Sequence, residues 1–302
     1  MSGNHAGHEH GHDHGPGDYN RAFAIGIALN IAFVIIEAVY GVLASSLALL
    51  ADAGHNLSDV LGLLLAWGAM ALARRKPTTR FTYGLRSSSI IAALANAMSL
   101  LVACGAIAWE AVQRFGSPAP VQSTTVVIVA GIGIAINGIT ALMFMSGRKN
   151  DLNIRGAFLH MAADAAVSLG VVLAGLAILL TGWHWIDPMI SLVIVAVILV
   201  GTWGLLRDSI NLALNAVPAG IDMAAVQVYL RDLPGVTDVH DLHVWGMSTT
   251  EAALTAHLVM PGGQPGDHFM AEAAEELEHR FGIHHTTLQI EFGETPHDCA
   301  LV

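Results

Sequence analysis

The chain has 302 residues, 54% of them hydrophobic and only 12% charged, about half the charged share of an ordinary soluble domain. A mean hydropathy of +0.58, gathered into runs long enough to cross a bilayer, excludes a water-soluble globular protein. Two cysteines exclude a disulfide framework, and a formal charge of −11 gives no reason to expect a nucleic-acid partner.

The chain opens with HAGHEHGHDHGPG, which carries His5, His8, His10, His12 and His14. Such a tract has no core-forming residues but binds divalent metals loosely. Residues 1–20 are therefore expected to be a disordered His-rich segment, either a metal collector or an incidental tail. Interleaved Glu9 and Asp13 argue against an added tag.

Six apolar spans follow, at about 22–44, 46–72, 87–113, 121–145, 154–181 and 186–206. The loop between spans two and three carries Arg74, Arg75, Lys76, Arg80 and Arg86. The loop before span five carries Arg148 and Lys149, and Arg207 follows span six. The other connections hold little positive charge, so the positive-inside rule puts both termini in the cytoplasm. Trp183 and Trp185 stand where an interfacial aromatic belt is expected. A short chain with short loops suits a bacterial plasma membrane.

Spans two and five share one motif, H-x-x-x-D: His55 with Asp59, and His160 with Asp164, 105 residues apart. On a helix, a spacing of four puts both side chains on one face. An ionisable residue in a bilayer costs about 2.5–3.5 kcal/mol even on the lenient insertion scale, so it marks function by default. Two imidazoles and two carboxylates make a four-coordinate set suited to Zn2+. Two carboxylates neutralise the ion, and protons are expected to replace it when it leaves. Spans one to three and four to six then read as halves of inverted topology, with the site near mid-membrane.

Other polar residues in the spans have weaker readings. Asp52, three residues before His55, is either an outer entry ligand or a polar residue of the first helical turns. Asn56, Asn96 and Asn137 suit interhelical hydrogen bonds. Glu110 lies near a span end, and Glu37 has no role assignable from sequence.

Residues 1–206 hold ten basic and ten acidic side chains, whereas residues 207–302 hold three and fourteen. The division expected is therefore a neutral transport domain over 21–206 and an acidic cytoplasmic α+β domain over 207–302. In the latter, 222–233 reads as a helix with Asp222 as N-cap. VTDVHDLHVWGM and EAALTAHLVM read as strands with a turn near Ser248–Thr250, 268–281 as an acidic helix, and HHTTLQIEF as a third strand. His240, His243, His257, His284, His285 and Glu291 lie on these strands or their ends. Regular alternation puts His240 and His243 on opposite faces, which excludes a shared site. Bound divalent cations would offset the repulsion of a self-pairing acidic domain.

SLALLADAGHNLSD, FLHMAADAAVSLGVV, WIDPMISLVIVAVIL, GVTDVHDLHVWGM and HHTTLQIE together resemble the cation diffusion facilitator family, in its zinc-exporting branch. The resemblance covers about residues 15–295. It implies a homodimer of six-span protomers with metallochaperone-like cytoplasmic tails, and alternating access that exchanges cytosolic zinc for protons. It puts the transport site on His55, Asp59, His160 and Asp164; cobalt, cadmium and nickel accept similar ligands, so ligand type does not settle the cargo. It puts a tail metal site on His240, His257 and Glu291, with His284 as fourth ligand. On a regular strand His285 rather than His284 faces with Glu291, so both stay open; Cys299, near His297, is a further possible ligand. Residues 74–86 lack the His and Asp ligands that some members carry there. Arg86 is followed by Ser87, Ser88 and Ser89 where many members have an acidic residue, which puts charge pairing at that edge in doubt. A membrane metalloenzyme would need a general base, as in H-E-x-x-H; neither motif has its Glu, so no enzyme is expected. A sensor that binds metal without moving it has no need of a mid-span quartet.

Overall fold

The computed structural model describes residues 17–117, 119–145, 152–263 and 266–293, with side chains described from residue 28 onward except at 63, 66, 70, 144 and 152–157. The His-rich tract, Arg148, Lys149, His297 and Cys299 lie outside the described residues.

Six long helices come first: α1 (Gly17–Leu43), α2 (Leu47–Ala73), α3 (Ser88–Gly116), α4 (Ser123–Phe144), α5 (Leu152–Thr181) and α6 (Ile186–Ala213). They match the six expected spans, except that α6 runs on past Arg207 before it stops. Five are long and apolar enough to cross a membrane, and α1 is apolar over Ala28–Leu43. Their outer faces carry exposed Val42, Leu64, Trp67, Val102, Leu180 and Val200. Apolar side chains all round a helix are the pattern of a segment solvated by lipid.

The chain divides into two compact units, Met1–Val60 with Cys104–Ala196, and Leu61–Ala103 with Val197–Val302. In the first, Gly133 of α4 faces Ser168 of α5, and Gly175 of α5 faces Val127 of α4, so the two helices run antiparallel. Glycine matters at 133 because a Cβ there would sit 2.6 Å from Cζ of Phe33 on α1. Small residues let helices approach this closely where the hydrophobic effect gives no drive to associate.

The α1–α2 corner is pinned from three sides. Ser45 adopts φ 55°. Asp187, at the start of α6, accepts from the Ser46 hydroxyl, from Leu47 N at 2.7 Å and from Ala48 N at 3.4 Å. These are donors that a helix leaves open at its N-terminus, and α2 has them capped by another helix. Arg114 donates to Ser45 O, and Gln122 N donates to Ala44 O at 3.0 Å.

The second unit contains the tail. Here α7 (Met223–Arg231) starts as expected on Asp222, whose carboxylate accepts from Ala224 N and Ala225 N. Then follow β1 (Asp238–Gly246), β2 (Ala252–Val259), α8 (Gly266–Phe281) and β3 (Ile283–Glu291). The sheet order is β1-β2-β3. β1 pairs antiparallel with β2, and β3 parallel to it, so α8 is the crossover that a parallel pair requires. Val226, Leu230, Val244, Leu254, Leu258 and Leu277 form its buried core.

The expectation that His240 and His243 face opposite ways is overturned. The β1–β2 register slips between them: His240 lies opposite His257, and His243 opposite Thr255. One extra residue makes a β-bulge, with Asp241 at φ 50°. Val239 and Val244 both point into the core although five residues apart, so His240 and His243 share the other face.

Candidate metal centres

α2 and α5 each present their His and Asp one turn apart, on facing sides. His55 Nε2 lies 3.8 Å from Asp59 Oδ2 and 3.5 Å from Asp164 Oδ1. His160 Nε2 lies 3.3 Å from Asp59 Oδ2 and 3.6 Å from Asp164 Oδ2. Four donors about 2.1 Å from a tetrahedral Zn2+ stand about 3.4 Å from each other. His55, Asp59 and Asp164 offer one ligand atom each within 4.8 Å of one another, a metal-sized group; His160 stands beside it, near Asp59 and near a different Asp164 oxygen from the one His55 approaches. Asp164 is only 2% exposed, whereas His160 retains 42% of its side-chain surface. The site is closed on the Asp164 side and open on the His160 side.

Asp52 lies in the second turn of α2, as one of its two readings had it, with its side chain turned into the helix packing. It is fully buried, takes a hydrogen bond from Ser168 Oγ at 2.9 Å, and lies within hydrogen-bonding reach of the equally buried Glu37. Glu37 in turn accepts from Asn56 Nδ2 at 3.2 Å. Asn56 thus serves as an interhelical hydrogen-bond group. Asn137 is fully buried on α4, and neither polar atom of its side chain has a hydrogen-bond partner among the described residues. Glu110 pairs with Arg114 along its own helix at 3.1 Å.

In the tail, His240 Nε2 lies 3.0 Å from Glu291 Oε2, and His257 Nδ1 lies 2.8 Å from Glu291 Oε1. These three residues come together as a metal-sized group. His284 does not join it: it is exposed where the β2–β3 register slips, between Ile283 and His285. His285 shares the open face with Glu291 but lies six residues away, about 20 Å along the strand, and its ring stands edge-on to Tyr83 with centroids 5.5 Å apart.

Sequence reasoning missed Asp241. From the bulge its carboxylate reaches His243 Nε2 at 2.9 Å and His257 Nε2 at 3.4 Å. A carboxylate on the far nitrogen of a ligating imidazole fixes its tautomer and orientation. A signal was present: the apolar positions Val239, Leu242 and Val244 break strict alternation once. The doubt about pairing at Arg86 resolves differently from the family pattern. Arg86 pairs with Glu251 of the tail hairpin, Ser87 Oγ donates to Met247 O at 3.1 Å, and Thr249 N donates to Ser89 Oγ at 3.1 Å.

Residues 23–212 match the family description "cation efflux transmembrane domain", and residues 218–292 match the cytoplasmic domain of cation efflux proteins. The metal cation efflux system protein CzcD of Cupriavidus metallidurans is 38% identical over 95% of this chain and 90% of its own length. A cadmium, cobalt and zinc/H(+)-K(+) antiporter of Bacillus subtilis is 35% identical over 98% of this chain and 95% of its own. The zinc transporter ZitB of Escherichia coli K12 is 35% identical over 94% and 92%. Among solved structures, the metal-bound C-terminal domain of the CzcD transporter is 35% identical over 24% of this chain and 99% of that one, with a TM-score of 0.22.

Proposed function

The chain belongs to the cation diffusion facilitator family of cation efflux proteins, and on that premise we propose that it exports Zn2+ from the cytosol in exchange for protons, by alternating access around the α2–α5 quartet. It is a multi-pass membrane transporter and not an enzyme, as its relatives' names agree. The observation that carries the proposal is the set of four donor distances between 3.3 and 3.8 Å. Two imidazoles with two carboxylates suit zinc. Cadmium, cobalt and nickel accept the same donors, and donor type alone does not choose among them. His55, Asp59, His160 and Asp164 are the transport ligands. With Zn2+ bound their net charge is zero; when it leaves, two negative charges remain and protons take its place.

Residues 207–302 form the cytoplasmic domain of this reading, following a transport domain over 21–206 and a metal-collecting segment over 1–20. The domain pairs two protomers into a homodimer, and zinc on His240, His257 and Glu291 draws the acidic tails together. His284 enters this proposal only as a ligand outside the three-residue cluster. Both termini face the cytoplasm of a bacterial plasma membrane, from the placement of the Arg and Lys loops.

The test is zinc flux into proteoliposomes holding a pH-sensitive dye, for the wild type and Asp164→Ala. Zinc movement coupled to opposite proton movement, lost in the variant, is the expected result. Zinc flux retained in Asp164→Ala refutes the site, and zinc flux without protons refutes the exchange.

A further inference from the structure

Glu37 on α1 and Asp52 on α2 form a second ionisable centre beside the quartet, and metal binding makes no use of it. Both side chains are fully buried. One oxygen of each is satisfied by a neutral donor: Asn56 Nδ2 on Glu37 Oε2, and Ser168 Oγ on Asp52 Oδ2. The other oxygen of each, Glu37 Oε1 and Asp52 Oδ1, has no hydrogen-bond partner among the described residues, yet the two carboxyl groups lie within hydrogen-bonding reach of each other. Two acceptors cannot hydrogen-bond without a hydrogen between them. Adjacent carboxylates removed from water cannot both stay charged, and sharing one proton is the usual solution. Among the described residues, the charged groups acting on the pair from outside it are His55 from α2 and Asp164 from α5.

We propose that the Glu37–Asp52 pair is a proton-carrying site of the exchange cycle, separate from the metal ligands and coupled to them through charge. The inference rests on the exchange reading above. With the quartet empty, the pair holds one proton and carries a charge of −1. Zn2+ binding neutralises Asp59 and Asp164. The proton leaves the pair for the aqueous side from which the metal came, and the pair becomes −2. On the far side the metal departs, the field at the pair becomes more negative again, and a proton from that side returns. One proton thus moves opposite to each metal ion, whatever number the quartet itself exchanges. Asn56 and Ser168 are positioning residues: each holds one oxygen of the pair.

The experiment uses full-length purified protein and counts protons released on adding Zn2+, with a pH dye in weakly buffered solution. Glu37→Gln and Asp52→Asn are expected to bind Zn2+ as the wild type does but to release about one proton fewer per metal. In proteoliposomes they are expected to pass zinc down its gradient, and to build a smaller uphill zinc gradient than the wild type from the same imposed pH gradient. Wild-type proton release and uphill transport in both variants overturn the proposal. Ser168→Ala leaves both carboxyls in place and guards against misfolding of the others. It is expected to move the pH midpoint of proton release while leaving zinc affinity at alkaline pH unchanged, and an unmoved midpoint counts against the pair. Repeating the measurement with choline as the sole monovalent cation separates a proton from an alkali ion, since a requirement for potassium or sodium overturns the identity proposed. Asp164→Ala is the control: if it binds as many Zn2+ ions per chain as the wild type, the tail site included, the quartet reading has failed and not this one.

Discussion

The quartet in the helices and the cluster in the tail use the same chemistry on opposite kinds of scaffold. His55, Asp59, His160 and Asp164 hang from two helices, each contributing an i,i+4 pair, and no backbone hydrogen bond joins one helix to the other. If α2 and α5 slide or tilt by an ångström or two, donor distances of 3.3–3.8 Å are lost together. His240, His257 and Glu291 stand instead on β1, β2 and β3, each hydrogen-bonded to the next along a ladder. Separating them requires breaking the sheet. A site that must release its metal every cycle gains from the first arrangement, and a site that reads metal and keeps it gains from the second.

The sharpest way to break the comparison is to remove a ligand from each side. Asp164→Ala is expected to abolish zinc flux while leaving the fold intact, as read by proteoliposome uptake and thermal unfolding. His257→Ala is expected to leave flux measurable but to abolish zinc-dependent tightening of the tails, read by scattering from the full-length protein in detergent with and without zinc. Equal loss of flux in the two variants would erase the distinction. Asp241→Asn probes the tail more finely. It keeps shape and hydrogen bonding but removes the charge behind His257, so tail zinc affinity should fall about 10- to 100-fold, measurable by competition with a chelating dye. An unchanged affinity would reduce Asp241 to a bulge residue. Arg86→Glu alone and Glu251→Arg alone should each lower stability by up to about 1 kcal/mol, because the pair is partly exposed. The double swap should recover most of that loss in denaturation midpoints, and no recovery would show the pair to be uncoupled. Deleting residues 1–15 should have the smallest effect, a slower zinc uptake seen only at low zinc.

Much of this was legible in the sequence, for reasons that differ between the two regions. The six helices were readable because lipid demands long apolar runs, and the quartet because a charge in such a run stands out. Asp222 announced α7 by an ordinary capping rule, and the turn near Ser248 separated β1 from β2 as expected. The Glu37–Asp52 pair was not readable. Spacing along one helix says nothing of a partner on another, and the two belong to different helices. Asp187 was hidden for the same reason, since its cap serves the N-terminus of α2, 140 residues away in sequence. The shared face of His240 and His243 was lost to a single inserted residue, which reverses the parity of everything after it.

The parallel strand β3 carries a consequence for synthesis. β1 and β2 form a local hairpin and bring His240 opposite His257 as soon as residue 259 has emerged from the ribosome. The carboxylate that completes their cluster sits on Glu291, the last residue of β3, and waits for α8 to be made and folded across the sheet. A nascent chain stopped anywhere in α8 therefore displays two imidazoles, with Asp241 behind one of them, but without the Glu291 carboxylate that joins them. Full metal readout by the tail belongs to the chain that has finished its crossover.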